Sequence, residues 1–373
     1  MRFTLVGPVY PYRGGIAWFT TSLGQELISA GHQVQIVSFS RQYPSWLYPG
    51  KSDKDPSQQH VQVPAQFLLD PLYLHTWIRT IRNISQFHPQ MVIIQWWTTF
   101  WAPALWVISL FLQRKKIPVT FVIHNVMPHE ARFFDRWLVQ KTLKHGNALI
   151  YLSPKEGERL LKLLPGSRIE PSRLPIFDIS QTHIDRSSAR QKLGLPEDRT
   201  IFLFFGLVRP YKGLSVLLSS LKLLQEEGIK PILIIVGEFW ENPEIYIQQI
   251  QDLSLTEQVI IENRFVPNEE VGIYFSAADG FIAPYTDGTQ SAAIKVAMSY
   301  HIPVLASDNI SSDLSYTDYP LFVHPAGDIK GLASSIQQFM DEPRKQTIPP
   351  IVPSGWNELI TLVEQLCTEL TGI

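Results

Sequence analysis

Ile201-Phe202-Leu203-Phe204-Phe205-Gly206-Leu207-Val208-Arg209-Pro210-Tyr211-Lys212-Gly213 is the stretch on which the fold turns. It begins as an apolar run with the length of a buried strand and breaks at a glycine. Two cations then precede a second glycine. A helix is predicted over 213–227, because Leu214, Leu217, Leu218, Leu221 and Leu224 recur at helical spacing. Downstream, 232–236 is a strand ended by Gly237, and 259–261, 280–283 and 304–306 continue the alternation of strand and helix. Upstream the same pattern appears: a strand to Gly7, a turn over 8–15, a helix over 16–30 closed by Gly31 and a strand over 33–39. Further strands are predicted at 91–95, 119–123 and 149–152, with a helix over 102–113. Strands that alternate with helices pair in parallel through right-handed crossovers. Two such series predict two Rossmann-like domains, each a doubly wound α/β unit. The boundaries expected are 1–180 and 181–354, with an amphipathic C-terminal helix within 355–373 completing the first domain.

Length agrees, since 373 residues suggest two domains. Apolar residues make up 45% and charged residues 18%, enough for sizeable cores. The net charge of −2 gives no general electrostatic case for nucleic acid, so no nucleic-acid partner is expected. Cys367 is the only cysteine and cannot form an internal disulfide, which fits a reducing cytoplasm. The first apolar run is too short for a signal peptide. The stretch 96–112 falls short of about 18 uninterrupted apolar residues and is read as a core helix rather than a membrane span. Its aromatics, Trp96, Trp97, Phe100, Trp101 and Trp106, leave peripheral membrane contact open, at the inner face.

In open parallel sheets ligands sit beyond the carboxyl ends of strands. Four segments lie there. In the first, Gly14 and Gly15 precede a helix start, where the backbone can approach an anion. A plain tight turn explains them as well, and the G-x-G-x-x-G spacing of a dinucleotide fingerprint is absent. In the second, His124 follows an apolar strand and can hydrogen-bond a sugar hydroxyl or a phosphate, or simply be a satisfied structural histidine. His129 and Glu130 nearby are read as structural, and no histidine repeats at metal-ligand spacing. In the third, Arg209 can grip oxygens as a fork and Lys212 adds a point charge, a combination suited to a diphosphate. Two solvated loop cations are the bland alternative. In the fourth, Gly288, Thr289, Gln290 and Ser291 stand where a helix begins, as a phosphate or sugar seat or as an ordinary N-cap.

Together these segments resemble the retaining family-4 (group 1) glycosyltransferases of GT-B fold. The match is most specific at 206–213, similar to the family's "G-R-l-x-x-x-K-G", and at 284–306, similar to its donor loop, helix and "P-V" strand. Segments 233–238 and 281–285 look like further family landmarks, whereas Gly14-Gly15 and His124 match more loosely. The resemblance implies two domains facing each other across a cleft, with the acceptor on the N-terminal one and a nucleotide-sugar on the C-terminal one. Arg209 and Lys212 would neutralise the diphosphate, aided by N–H groups at Thr289 to Ala292. Gly14 and Gly15 would approach the donor phosphates, and His124 the transferring sugar. No metal and no cofactor are implied, only a nucleotide-diphosphate sugar donor and a glycan, lipid-linked or small-molecule acceptor, in glycan biosynthesis. Three departures stand out: the arginine of 206–213 comes two residues later than in the family's pattern, no glycine-rich turn follows Asp308 and the stretch 309–318 is unusual, and a glutamate pair is missing. The family often carries a glutamate pair across this loop and helix, and alignment puts Gly288 and Val296 there. Nucleotide recognition is therefore expected to differ. A nucleotide-sugar isomerase or epimerase of the same fold, or a non-catalytic binding partner in glycan assembly, are the alternatives.

Overall fold

A computed structural model describes residues 1–44, 48, 50–58, 61–128, 133–176, 184–311, 319–342 and 355–372. His129, Glu130, most of the unusual 309–318 stretch, the proline-rich 347–353 and residues 180, 181 and 354 lie outside them.

The chain forms two compact units. Unit 1 comprises Met1–Pro56, Val61–Pro175 and Ser354–Ile373, and unit 2 comprises Ser57–His60 and Ile176–Pro353. In unit 1 the order is β1 (Arg2–Val6), α1 (Gly15–Ser29), β2 (Gln33–Phe39), β3 (Ala65–Leu69), α2 (Leu74–Phe87), β4 (Met91–Trp96), α3 (Ala102–Arg114), β5 (Val119–Ile123), α4 (Asp135–Leu143), β6 (Ala148–Tyr151), α5 (Pro154–Leu163) and β7 (Ile169–Pro171). Unit 2 follows with α6 (Arg186–Leu193), β8 (Ile201–Phe205), α7 (Leu214–Glu226), β9 (Ile232–Val236), α8 (Glu244–Asp252), β10 (Val259–Glu262), α9 (Asn268–Ala277), β11 (Gly280–Ala283), α10 (Ala292–Ser299), β12 (Val304–Ser307), α11 (Asp308–Ser311), β13 (Leu321–His324) and α12 (Ile329–Asp341). The last helix, α13 (Trp356–Thr371), belongs to unit 1.

Each unit is one parallel sheet. Unit 1 has seven strands in the order β3-β2-β1-β4-β5-β6-β7, and unit 2 has six in the order β10-β9-β8-β11-β12-β13. Strands β4, β5, β8 and β9 are apolar along almost their whole length because helices cover both faces, leaving no water-facing side. In unit 2 the two faces form separate apolar clusters, one around Leu203, Phe275, Phe281 and Val296, the other around Phe202, Phe204, Leu218 and Ile336. In unit 1, Trp96, Trp101, Phe121 and Ile108 centre the core on one face.

Both sheets reverse direction in the middle, where β1 lies beside β4 and β8 beside β11. A crevice opens at the carboxyl ends of strands at such a reversal, because the flanking connections leave to opposite faces. The loops after β1, β4 and β5, and those after β8, β9 and β11, are placed at these two positions.

Several elements escaped the sequence pattern: β3, α2, α4, α5, β7, α6, α8, α9, α11, β13 and α12. Strand β3 is short, with Gln66 and Phe67 exposed and only Leu69 buried, so its apolar run stops at three residues. The aromatics expected to leave membrane contact open are largely core. Trp96 and Trp101 are wholly buried and Trp97 nearly so, with Trp97 and Trp101 against Phe39 and Trp96 against Phe121. Only Phe100 and Trp106 keep part of their surface.

Candidate functional site

In unit 2 the three loops beyond β8, β9 and β11 are pressed together at their backbones. Gly213 has φ 72° and a Cβ there would stand 1.9 Å from the Pro284 carbonyl oxygen. Gly237 has φ 148° and a Cβ there would stand 1.9 Å from the Gly206 carbonyl oxygen. Both positions need glycine for the conformation and for the close approach. Hydrogen bonds complete the join: the Thr286 N–H donates to the Tyr211 carbonyl at 2.8 Å, and Thr286 Oγ1 donates to the same oxygen at 3.1 Å. The third and fourth sequence segments are thus one structural object.

Lys212 ends a short 3-10 turn, Pro210–Lys212, that Arg209 precedes. Its side chain is folded inward and buried, with Nζ 5.3 Å from the centre of the Tyr285 ring. Burial pushes its pKa down, and the neighbouring Arg209 adds to that. A buried ammonium with a lowered pKa gains most from an arriving anion. Arg209 lies against two aromatic faces, 5.7 Å from the Tyr211 ring and 5.6 Å from Trp240. Flat contacts of this kind hold a guanidinium in place while its N–H edge stays directional.

The Tyr285 hydroxyl lies 3.0 Å from Ser291 Oγ, and burial pushes this phenol up to about 12. Ser291 is the N-cap of α10, its Oγ accepting from the Ile294 N–H at 3.4 Å. Gly288, Thr289 and Gln290 therefore precede the helix rather than open it. Thr289 is buried, and its Oγ1 has no hydrogen-bond partner among the described residues. A buried hydroxyl left so costs stability, which an oxygen-rich ligand would recover. Gly288 has φ 120°, a conformation that side chains rarely adopt, and Val296 is buried in an apolar cluster. A backbone shape suited to glycine and an apolar packing position thus stand where the family often carries glutamates.

In unit 1, Gly7 ends β1 so close to β4 that a Cβ would stand 2.6 Å from Gln95 Cγ. Gly14 is the N-cap of α1 at φ 105°, and neither a capping side chain nor an acidic residue meets that helix start. Arg13 Nε donates to the Tyr48 hydroxyl at 2.8 Å. His124 follows β5 and is buried, with Nε2 donating to Gln95 Oε1 at 2.8 Å and the Phe19 ring edge-on at 4.8 Å. Burial lowers its pKa to about 3, so the imidazole is neutral at physiological pH. With Nε2 as donor, Nδ1 carries a lone pair and accepts hydrogen bonds. The structure thus gathers Gly7, Gln95 and His124 at the sheet reversal of unit 1, and Arg209, Lys212 and 288–291 at that of unit 2.

Sequence reasoning missed Gln95, Tyr285, Trp240 and Lys295. Gln95 had a signal, since it is a lone amide inside the apolar strand Met91–Trp96. Tyr285 and Trp240 did not, because only the fold brings them to the cations. Lys295 is fully buried within the apolar helix α10 and is the unusual residue in it. Among the described residues no group of three or more His, Cys, Asp or Glu is placed to hold a metal ion.

Two doubly wound parallel sheets with loop clusters at their reversals make up the GT-B fold, whose solved counterparts include glycosyltransferases and, with a TM-score of 0.58 at 10% identity over 98% of this chain and 100% of that one, the UDP-GlcNAc 2-epimerase of Methanocaldococcus jannaschii. The structure of Anabaena Alr3699/HepE in complex with UDP-glucose matches with a TM-score of 0.70 over 100% of both chains, at 16% identity. The sequence matches the family model for glycosyl transferases group 1 over residues 185–348 and that for glycosyltransferase family 4 over residues 13–172. The chain belongs to this glycosyltransferase family. Among curated relatives, the alpha-monoglucosyldiacylglycerol synthase of Acholeplasma laidlawii is 20% identical over 329 residues, 82% of this chain and 80% of that protein. The putative teichuronic acid biosynthesis glycosyltransferase TuaC of Bacillus subtilis is 27% identical over 202 residues, 52% of this chain. That match spans about half of TuaC, 47% of its length.

Proposed function

We propose that this chain transfers a hexosyl group from a nucleoside-diphosphate sugar to an acceptor hydroxyl with retention of anomeric configuration. The observation that carries the reading is buried Lys212 beside Arg209, in a loop locked to the segment leading into α10. Bond breaking occurs between the anomeric carbon and the β-phosphate oxygen, and the electron pair leaves with the diphosphate. Lys212 and Arg209 stabilise the charge developing on it, the kind of electrostatic assistance worth most in a site shielded from water. The acceptor hydroxyl bonds to the anomeric carbon on the face the diphosphate leaves, and its proton passes to the departing phosphate oxygen. The segment 288–291 is the seat for the sugar or phosphate, and neutral His124 accepts a hydrogen bond from a hydroxyl of the transferring sugar. Gly14 and Gly15 offer the uncapped N–H groups of α1 to the donor phosphates.

Protein cations take the place of a metal ion in this reading, so turnover is expected to survive chelation by EDTA, and loss of turnover would count against it. The acceptor is a glycan, a lipid-linked sugar or a small-molecule hydroxyl. A lipid acceptor is supported by the name of the Acholeplasma relative, a synthase whose product is a glucosylated diacylglycerol. A reducing cytoplasm suits a single buried cysteine, Cys367, and no described helix is long and apolar enough to cross a membrane.

UDP is the first probe, because the Anabaena relative was solved with UDP-glucose. Calorimetric titration of UDP into wild type and Lys212→Ala tests the phosphate assignment. Loss of a charge-assisted hydrogen bond weakens affinity by about 10- to 100-fold. Equal affinities would remove Lys212 from the donor site.

A further inference from the structure

Helix α4 turns an unusual face to solvent. Its inner side is ordinary: Val139 and Leu143 join the apolar core of unit 1, and buried Asp135 accepts a hydrogen bond from Thr99 Oγ1 at 2.5 Å. On the outer side, Phe133, Trp137, Lys141 and Lys144 follow one another at intervals of four, four and three residues, with Phe134 beside Phe133, a stripe along the helix and the turn before it. The aromatics of this stripe are open to solvent. Phe133 is 96% exposed, Trp137 51% and Phe134 39%. No other large apolar side chain in the described structure approaches the exposure of Phe133. Lys141 Nζ lies 5.9 Å from the centre of the Trp137 ring, and Trp106 supports that ring edge-on at 6.0 Å.

Charge is also one-sided. Between 133 and 147 the cations are Arg136, Lys141 and Lys144, and the only acid, Asp135, is buried against Thr99. The chain as a whole is slightly acidic, at −2, so this basic run is a local departure. Exposed aromatics bordered by lysines, with no exposed acid among them, match a surface that is apolar at depth and anionic at its rim. An aromatic ring is accommodated at the level of lipid headgroups, and lysines there pair with anionic phosphates. A partner with a neutral apolar surface would leave the cations unmatched.

We propose that the outer stripe of α4 docks unit 1 onto an anionic phospholipid surface, with Phe133 and Trp137 entering the headgroup layer and Lys141, Lys144 and Arg136 on lipid phosphates. The stripe contains none of the residues placed in the transfer chemistry, so the proposal does not depend on the reading of the donor site.

Co-sedimentation of the full chain with sucrose-loaded vesicles tests it. Equimolar POPG and POPC vesicles are compared with POPC alone at low and high salt. Wild type is expected to pellet with the POPG-containing vesicles and to be released at 0.5 M NaCl, in keeping with a Debye length of about 4 Å at that salt. Phe133→Ser/Trp137→Ser should weaken binding by about tenfold or more. Lys141→Gln/Lys144→Gln should weaken it about fivefold for each cation lost. Circular dichroism and UDP affinity equal to wild type show that either variant is folded. The lysine variant removes no apolar contact and so keeps the test informative if the aromatic variant misfolds. No pelleting of wild type, equal pelleting with pure POPC, or variants that bind as wild type would each overturn the proposal. A dimer seen by light scattering and dissolved by the aromatic substitutions would overturn it too, because the stripe would then be covered by a second copy.

Discussion

At the end of β5 the imidazole of His124 is buried and hydrogen-bonded to Gln95, and its pKa is held at about 3, against 6.5 for a free histidine. Between those two values the unfolded chain binds a proton that the folded chain refuses. Stability therefore rises with pH across that window, is complete above pH 6.5 and is lost as pH falls towards 3. The shift is worth up to roughly 5 kcal/mol, at about 1.4 kcal/mol per pKa unit. His124→Gln keeps a hydrogen-bonding side chain but cannot titrate. Urea denaturation at pH 7 and pH 4 should show wild type losing more stability on acidification than the variant, and equal losses would mean that His124 is not buried in its neutral form. The position of His124 at a strand end was legible in the sequence. Its neutrality was not, because that follows from Phe19 and the neighbouring sheet closing over the ring. Lys212 is the converse case. The residue is visible in the motif, but a loop lysine is ordinarily solvated, and only the packing against Tyr285 turns it into a buried cation with a lowered pKa. Anion binding favours its charged form, so UDP affinity is expected to fall as pH rises through that lowered pKa, below the usual 10.5, and to fall less steeply in Lys212→Ala.

The loops at the carboxyl ends of β8, β9 and β11 act as one element because their backbones touch. Gly213→Ala puts a methyl where the Pro284 carbonyl stands, at a φ of 72°. Both the left-handed conformation and the displaced carbonyl oppose it, and the expected cost is about 2 kcal/mol or more. Because Pro284 leads into the 288–291 seat, UDP affinity should fall together with stability, and a variant destabilised with unchanged affinity would separate the loop contact from the donor site. A second test concerns the absent glutamate pair. Val296→Glu restores the family's residue at a place where this helix is packed into apolar core. A carboxylate there is expected to cost about 3 kcal/mol or more, seen as a lower denaturation midpoint, and no gain in UDP affinity. The strand-loop-helix pattern of these elements was plain in the sequence, since apolar runs and glycines mark their ends. What the pattern does not contain is which loop touches which. That is set by strand order, and the β8–β11 pairing joins segments some 80 residues apart.

For the whole molecule, the two sheets were legible as two series of alternating elements, and the C-terminal helix was expected to complete the first domain, although its own pattern does not say where it packs. An amphipathic helix announces only that one of its faces is buried. The structure places that face in unit 1, where Trp356 packs against Phe19 at 5.5 Å, Glu364 accepts from His32 Nε2 at 2.8 Å and Arg168 pairs with Glu369. Trp356, Leu359, Val363 and Leu366 are buried there, and each such side chain contributes about 1.5–3 kcal/mol as an upper estimate. Their sum, roughly 6–12 kcal/mol, is comparable with the whole stability of a typical domain, about 5–15 kcal/mol. Unit 1 therefore draws on residues separated from the rest of it by the whole continuous part of unit 2. Unit 2 is continuous from Ile176 to Pro353 apart from the short Ser57–His60 segment. A chain ending at residue 354 should keep slow amide exchange in β8 to β13 and lose it in β1 to β7, as read by hydrogen–deuterium exchange mass spectrometry. Protection retained throughout β1 to β7 would show that the remaining core of unit 1 suffices without α13. Protection lost equally from both sheets would show that the two units fold as one cooperative body.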